Sequence, residues 1–120
     1  MRPDYITVRY QSFQARVLLS ELHLLDVLHF RRLIKLAERD PWQNGPELDA
    51  LREALPELAD RAAAEFTAAE TAVKDYRRAH RGDHSPGVEA QETRLKRAAT
   101  AARMKASRYQ KFHEIMKEDK

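Results

Sequence analysis

Between Arg94 and Lys111 the chain carries seven bases and no acid: Arg94, Lys96, Arg97, Arg103, Lys105, Arg108 and Lys111. At about 100° per residue, Arg94, Arg97, Lys105, Arg108 and Lys111 share a helical arc of about 120°. A row of cations on one face can track a line of phosphates, with an affinity that falls steeply as salt rises. The same row can stand as a solvated face paired with acids elsewhere in the chain, which contributes little. An acidic protein is the third possible occupant. Tyr109, inside the run, offers a ring to stack on a base, but its spacing places it on an apolar seam.

The other chemistry the spacing suggests is an Arg-His pair. Arg108 and His113 (Arg108-Tyr-Gln-Lys-Phe-His113) match an Arg-x4-6-His pattern. In this the chain resembles the HEPN-type ribonucleases, which are small all-α proteins that dimerise. The resemblance implies metal-independent RNA cleavage by Arg108 and His113 near a dimer interface. It covers six residues, and Tyr109 stands where the family often has a polar residue. Arg16 with His23 and Arg77 with His84 share the spacing.

Little else points to catalysis. His80, Asp83 and His84 bring two imidazoles and a carboxylate within five residues, but Gly82 between them breaks the helical face a metal would need. Glu21 and Asp26 are off-register for paired carboxylates, and Ser12, Ser20 and Ser107 have no nucleophile signature around them. Cysteine is absent, which excludes disulfides, thiolate chemistry and Cys-based zinc sites. There is no Gly-rich phosphate loop. No metal and no cofactor is expected.

The elements that must carry these residues are helical. Three glycines, no cysteine and abundant Ala, Leu, Glu and Arg favour helix throughout the 120 residues. The charge balance is mild, with 22 Lys+Arg against 19 Asp+Glu, but it is uneven. Residues 46–80 carry five bases and eight acids, whereas residues 88–120 carry nine bases and five acids. No apolar run of signal type follows Met1, and no stretch of 18 uncharged residues exists, so the expected compartment is the cytoplasm.

The most apolar stretch, Val17 to Leu36, projects as a helix that is apolar nearly all round. Ile6, Tyr10 and Phe13 extend one of its stripes backward, so helix 1 is expected over about residues 5–38. Asp40 to Pro46, with two prolines and Asn44-Gly45, reads as a loop. Trp42 within it is expected to plug the end of the helices, or else to anchor a partner. A second arm is expected over about residues 46–80, kinked or split at Pro56. Its apolar phase runs through Leu51, Leu55, Leu58, Ala62, Phe66, Ala69, Val73 and Tyr76. Ser85 and Pro86 then open a last helix over about residues 86–118. Its seam is Val88, Glu92, Leu95, Ala99, Ala102, Ala106, Tyr109, His113 and Met116.

The expected fold is therefore all-α, a single domain. It is an elongated up-down-up bundle of three arms, each about 50 Å long, with coiled-coil-like packing. Two narrow, alanine-lined arms cannot cover helix 1, so Leu18, Leu19, Leu22, Leu25, Phe30 and Leu33 are expected to form an oligomer interface or to meet a constitutive protein partner. The expected function is non-enzymatic. The protein is read as an assembly or adaptor protein that self-associates through helix 1 and presents a basic last helix to an anionic partner such as nucleic acid. The alternatives are the ribonuclease reading on Arg108 and His113, and a pure protein-binding regulator of the kind phages and plasmids encode.

Overall fold

The computed structural model describes residues 4–118. It is mostly helical, with one small sheet. Strands β1 (Tyr5–Tyr10) and β2 (Phe13–Leu18) are followed by a 3₁₀ segment (Leu19–Leu24). Helices α1 (Val27–Glu38), α2 (Pro41–Ala79) and α3 (Pro86–Glu118) complete the chain. Two compact units result: residues 4–59 with 108–118, and residues 60–107.

The expected helix over residues 5–38 is not formed. Its first part is an antiparallel hairpin in which Ile6 faces Val17, Val8 faces Ala15 and Tyr10 faces Phe13. Ile6, Tyr10, Phe13 and Val17 fit a helical stripe, but Ile6 and Val8, or Ala15 and Val17, also alternate as a strand requires. The β-branched Ile6-Thr7-Val8 core resolves the ambiguity toward strand, and all three side chains are buried. The two-residue turn places Gln11 at φ 55, a conformation that primed hairpin turns need at their first position.

Helix α1 starts late because Asp26 caps it. The Asp26 carboxylate accepts from the His29 amide at 2.7 Å. From there Phe30, Leu33, Ile34 and Ala37 form one buried stripe.

The expected loop over Asp40–Pro46 is helix instead. Asp40 sits at the N-terminus of α2, its carboxylate accepting from the Gln43 amide at 3.3 Å. Pro41 occupies the first helical position, where no amide is needed. Pro46 and Pro56 both lie inside α2, which stays helical through each. Asn44, which reads as half of an Asn-Gly turn, has its side chain fully buried and held at three points. Its Oδ1 accepts from the Arg9 amide at 2.9 Å. Its Nδ2 donates to the carbonyls of Arg9 at 2.7 Å and Ala37 at 3.1 Å.

The core of the first unit collects Ile6 and Val8 from the hairpin and Leu22 from the 3₁₀ segment. It adds Phe30 and Ile34 from α1, Leu51 and Leu55 from α2, and Tyr109, Phe112 and Met116 from α3. Phe30 and Phe112 stack, with ring centroids 4.0 Å apart and planes 20° from parallel.

The second unit is an antiparallel pair of helical segments. Arg77 of α2 meets Glu92 of α3 at 2.7 Å and, farther from the turn, Glu65 meets Lys105 at 3.2 Å. The turn contains Gly82 at φ 83, a left-handed conformation that glycine adopts without strain. Every residue of the α3 seam read from the sequence, Val88 to Met116, is buried or half-buried, as are Phe66, Ala69, Val73 and Tyr76 on α2.

Replacing Asn44 by Leu is expected to lower stability by about 2–3 kcal/mol, because it leaves the part-buried amide and carbonyl of Arg9 unanswered and takes from the Ala37 carbonyl the second donor it has beside the Asp40 amide. Urea denaturation of wild type and Asn44→Leu checks this.

Candidate functional site

Helix α3 positions all five residues of the expected basic row, but the structure divides them. Arg108 is turned inward. Its Nη1 donates to the carbonyl of Leu25 at 2.7 Å and to that of His23 at 3.2 Å. These carbonyls end the 3₁₀ segment, where backbone acceptors lack partners in their own turn. Next to it, Tyr109 is 1% exposed and donates its hydroxyl to the Leu19 carbonyl at 2.9 Å. That hydroxyl has one proton, so the His23 Nδ1 lying 3.3 Å away must be the donor toward it. Arg108 and Tyr109 thus fasten the end of α3 to the 3₁₀ segment.

Lys105 is half-buried against Glu65 in its ion pair. Arg94 lies exposed, with Nη1 3.1 Å from Gln91 Oε1. Arg97 and Lys111 are exposed. Of the five expected contacts, then, one is a structural clamp, one is paired within the chain, and Arg94, Arg97 and Lys111 remain at the surface.

The Arg108 guanidinium is committed to the two carbonyls, and His113 lies about 140° round the same helix from it. His113 is half-buried.

The turn between α2 and α3 gathers other titratable groups. A shallow cavity there is lined by Tyr76, His80, Asp83, His84, Glu89 and Glu92, among others. Its imidazoles face different partners. His80 packs on the Tyr76 ring and places Nδ1 3.0 Å from the Tyr76 carbonyl, while His84 lies 3.8 Å from Glu89. Among the described residues, no three His, Asp or Glu side chains converge as a metal site. The Arg77 guanidinium, bonded to Glu92, holds that carboxyl below its usual range, with Lys96 adding a smaller pull. The Ser85 amide and hydroxyl do the same for Asp83.

The expected apolar interface is largely internal. Leu19, Leu22, Phe30 and Leu33 are all buried within the first unit. The hairpin, α2 and the end of α3 supply the cover that three bare helical arms lacked. Leu25 is half-buried, and Leu18 is 41% exposed. Sequence reasoning missed the apolar residues that do reach the surface near the N-terminus: Tyr5, Phe13, Leu24 and Leu28. Their signal was present as alternation in the hairpin and as an Asp cap before Val27. Trp42 is 95% exposed and plugs nothing. Among the described residues, no helix is long and apolar enough to cross a membrane.

No protein-family model, curated protein or solved structure matches the chain.

Arg108→Met is expected to lower stability by roughly 2 kcal/mol through the loss of charge-assisted hydrogen bonds, whereas Arg97→Met stays within about 0.5 kcal/mol of wild type. Denaturant titration of both variants checks this. Because the folded-state pKa of Glu92 is depressed, its stabilising effect is present above the ordinary value of 4.5 and is lost as pH falls through the folded value. Glu92→Gln is therefore expected to melt below wild type near neutral pH and together with it in strong acid, as followed by circular dichroism.

Proposed function

We propose that this protein is a non-enzymatic, cytoplasmic assembly or adaptor protein that self-associates through its first unit and offers the basic face of α3 to nucleic acid. The observation that carries the reading is the run from Arg94 to Lys111, seven bases without an acid on one helix, in which Arg94, Arg97 and Arg103 stay exposed on the second unit. A two-helix segment with a thin alanine seam has little interior to shape a substrate pocket, and it displays its side chains outward. Phosphate recognition needs only such a display.

In this reading α1, α2 and α3 alternate in direction as an up-down-up bundle. The contacts with phosphates come from Arg94 and Arg97, and Lys105 exchanges its exposed ion pair with Glu65 for a phosphate at little cost. Self-association draws on apolar residues that the first unit leaves at its surface, such as Phe13, Leu18, Leu24 and Leu28.

Fluorescence anisotropy with duplex DNA and single-stranded RNA, each over a salt series, tests the anion-binding half. Binding is expected at low salt, and replacing Arg94 and Arg97 together by Ala is expected to flatten the salt dependence by about two units of slope. No binding to either at low salt removes this half of the proposal.

A further inference from the structure

The two edges of the small sheet are treated differently. In the hairpin, Asp4 pairs with Leu19 through the Leu19 amide, 2.9 Å from the Asp4 carbonyl. Hydrogen-bonded pairs therefore recur at Ile6 with Val17, Val8 with Ala15 and Tyr10 with Phe13. The amides and carbonyls of Tyr5, Thr7 and Arg9 point to the outer edge of β1, and α2 meets the part of that row nearest the turn, the Thr7 amide and both groups of Arg9. Asn44 takes both groups of Arg9, and Glu47 Oε2 lies 3.4 Å from the Thr7 amide. On β2 the corresponding outward groups belong to Gln14, Arg16 and Leu18, and those three residues are exposed. A covered edge next to an open one leaves a template for strand addition.

We infer that the open edge of β2 pairs antiparallel with the β2 of a second copy, in the register that places Ala15 opposite the other copy's Ala15. This inference rests on the self-association half of the proposed function and names its surface.

The register follows from parity and charge. Outward groups must meet outward groups, so Gln14, Arg16 and Leu18 can only face even-numbered residues. Two symmetric registers use most of the strand. One centres on Arg16 and sets two guanidinium groups directly opposite each other, which is destabilising. The other centres on Ala15. It sets Gln14 opposite Arg16 as a hydrogen-bonded pair, Phe13 opposite Val17, and alanine on alanine, with no like charges facing. The side chains of Phe13, Ala15 and Val17 lie on the same face as Ile6 and Val8, so pairing extends that apolar face across the two-fold axis. Phe13, 46% exposed, borders a shallow cavity of about 120 Å³ with His29, Arg32, Leu33 and Leu36, where the added strand supplies apolar cover. One strand pair is small beside the roughly 1,200–2,000 Å² of standard stable complexes, so the dimer is concentration-dependent.

The chain has no cysteine, which makes a cross-linking test clean. In the full-length protein, Ala15→Cys is expected to form an intermolecular disulfide under mild oxidation, because directly opposed non-hydrogen-bonded residues bring their Cα atoms to about 4.5 Å. Gln14→Cys and Arg16→Cys, each displaced from its own counterpart, are expected to cross-link far less. Gln14→Pro removes an outward amide that the hairpin does not use and is expected to weaken dimerisation in sedimentation by about tenfold. Should Gln14→Pro misfold, the cysteine series decides alone. A dimer that forms while Ala15→Cys cross-links no better than Gln14→Cys overturns the edge but leaves self-association standing. A protein that stays monomeric at millimolar concentration overturns both, without touching the binding of nucleic acid by Arg94 and Arg97.

Discussion

One side-chain amide governs how the first unit closes. A strand that has spent one row of its backbone groups on a hairpin partner still presents a second row, and that row cannot be buried unanswered. Asn44 answers it at Arg9, where its amide reproduces the donor and acceptor of a neighbouring strand, and its second donor proton reaches the end of α1 at Ala37. The start of α2, the end of α1 and the outer edge of β1 are thereby held at one point. The helix begins at Pro41, behind the Asp40 cap, and so carries Asn44 on its first turn toward these partners.

The same unit shows why a basic residue in a run need not serve a ligand. Arg108 lies in register with Arg94, Arg97 and Lys105, yet its guanidinium caps the carbonyls that the 3₁₀ segment leaves open. Tyr109 beside it donates to the Leu19 carbonyl at the start of the same segment. A long planar donor suits this task because it reaches two carbonyls at once while its charge strengthens both bonds. The cations available to a partner are correspondingly fewer, and they concentrate where α3 lies in the second unit.

That second unit rests on different physics. Small side chains let two helical backbones approach, and ion pairs such as Arg77 with Glu92 fix their direction. Exposed pairs of this kind add little stability. Their value is in alignment, and the Glu92 carboxyl, held below its usual range by Arg77, ties that alignment to pH.

The part of the fold legible in the residues alone is the part governed by one period and local stop signals. The seams from Leu51 to Tyr76 and from Val88 to Met116 are spaced at three and four residues over many turns, and no strand can use that pattern. The turn at Gly82 and the start at Pro86 are marked by residues whose backbones permit little else. The tertiary structure decided the rest. Residues 5–18 satisfy both a helical and a strand period; the β-branched Ile6-Thr7-Val8 leans toward strand, and the outer edge that a strand leaves open there meets Asn44 thirty-odd residues away. Asn44 and Gly45 read as a turn until the Arg9 backbone is placed against them. Arg108 cannot be told from Arg97 until two carbonyls approach it. Leu19, Leu22, Phe30 and Leu33 look uncovered until the hairpin folds back over them. In each case a local pattern was compatible with two outcomes, and the pairing of a distant backbone group or the burial of a distant face selected one.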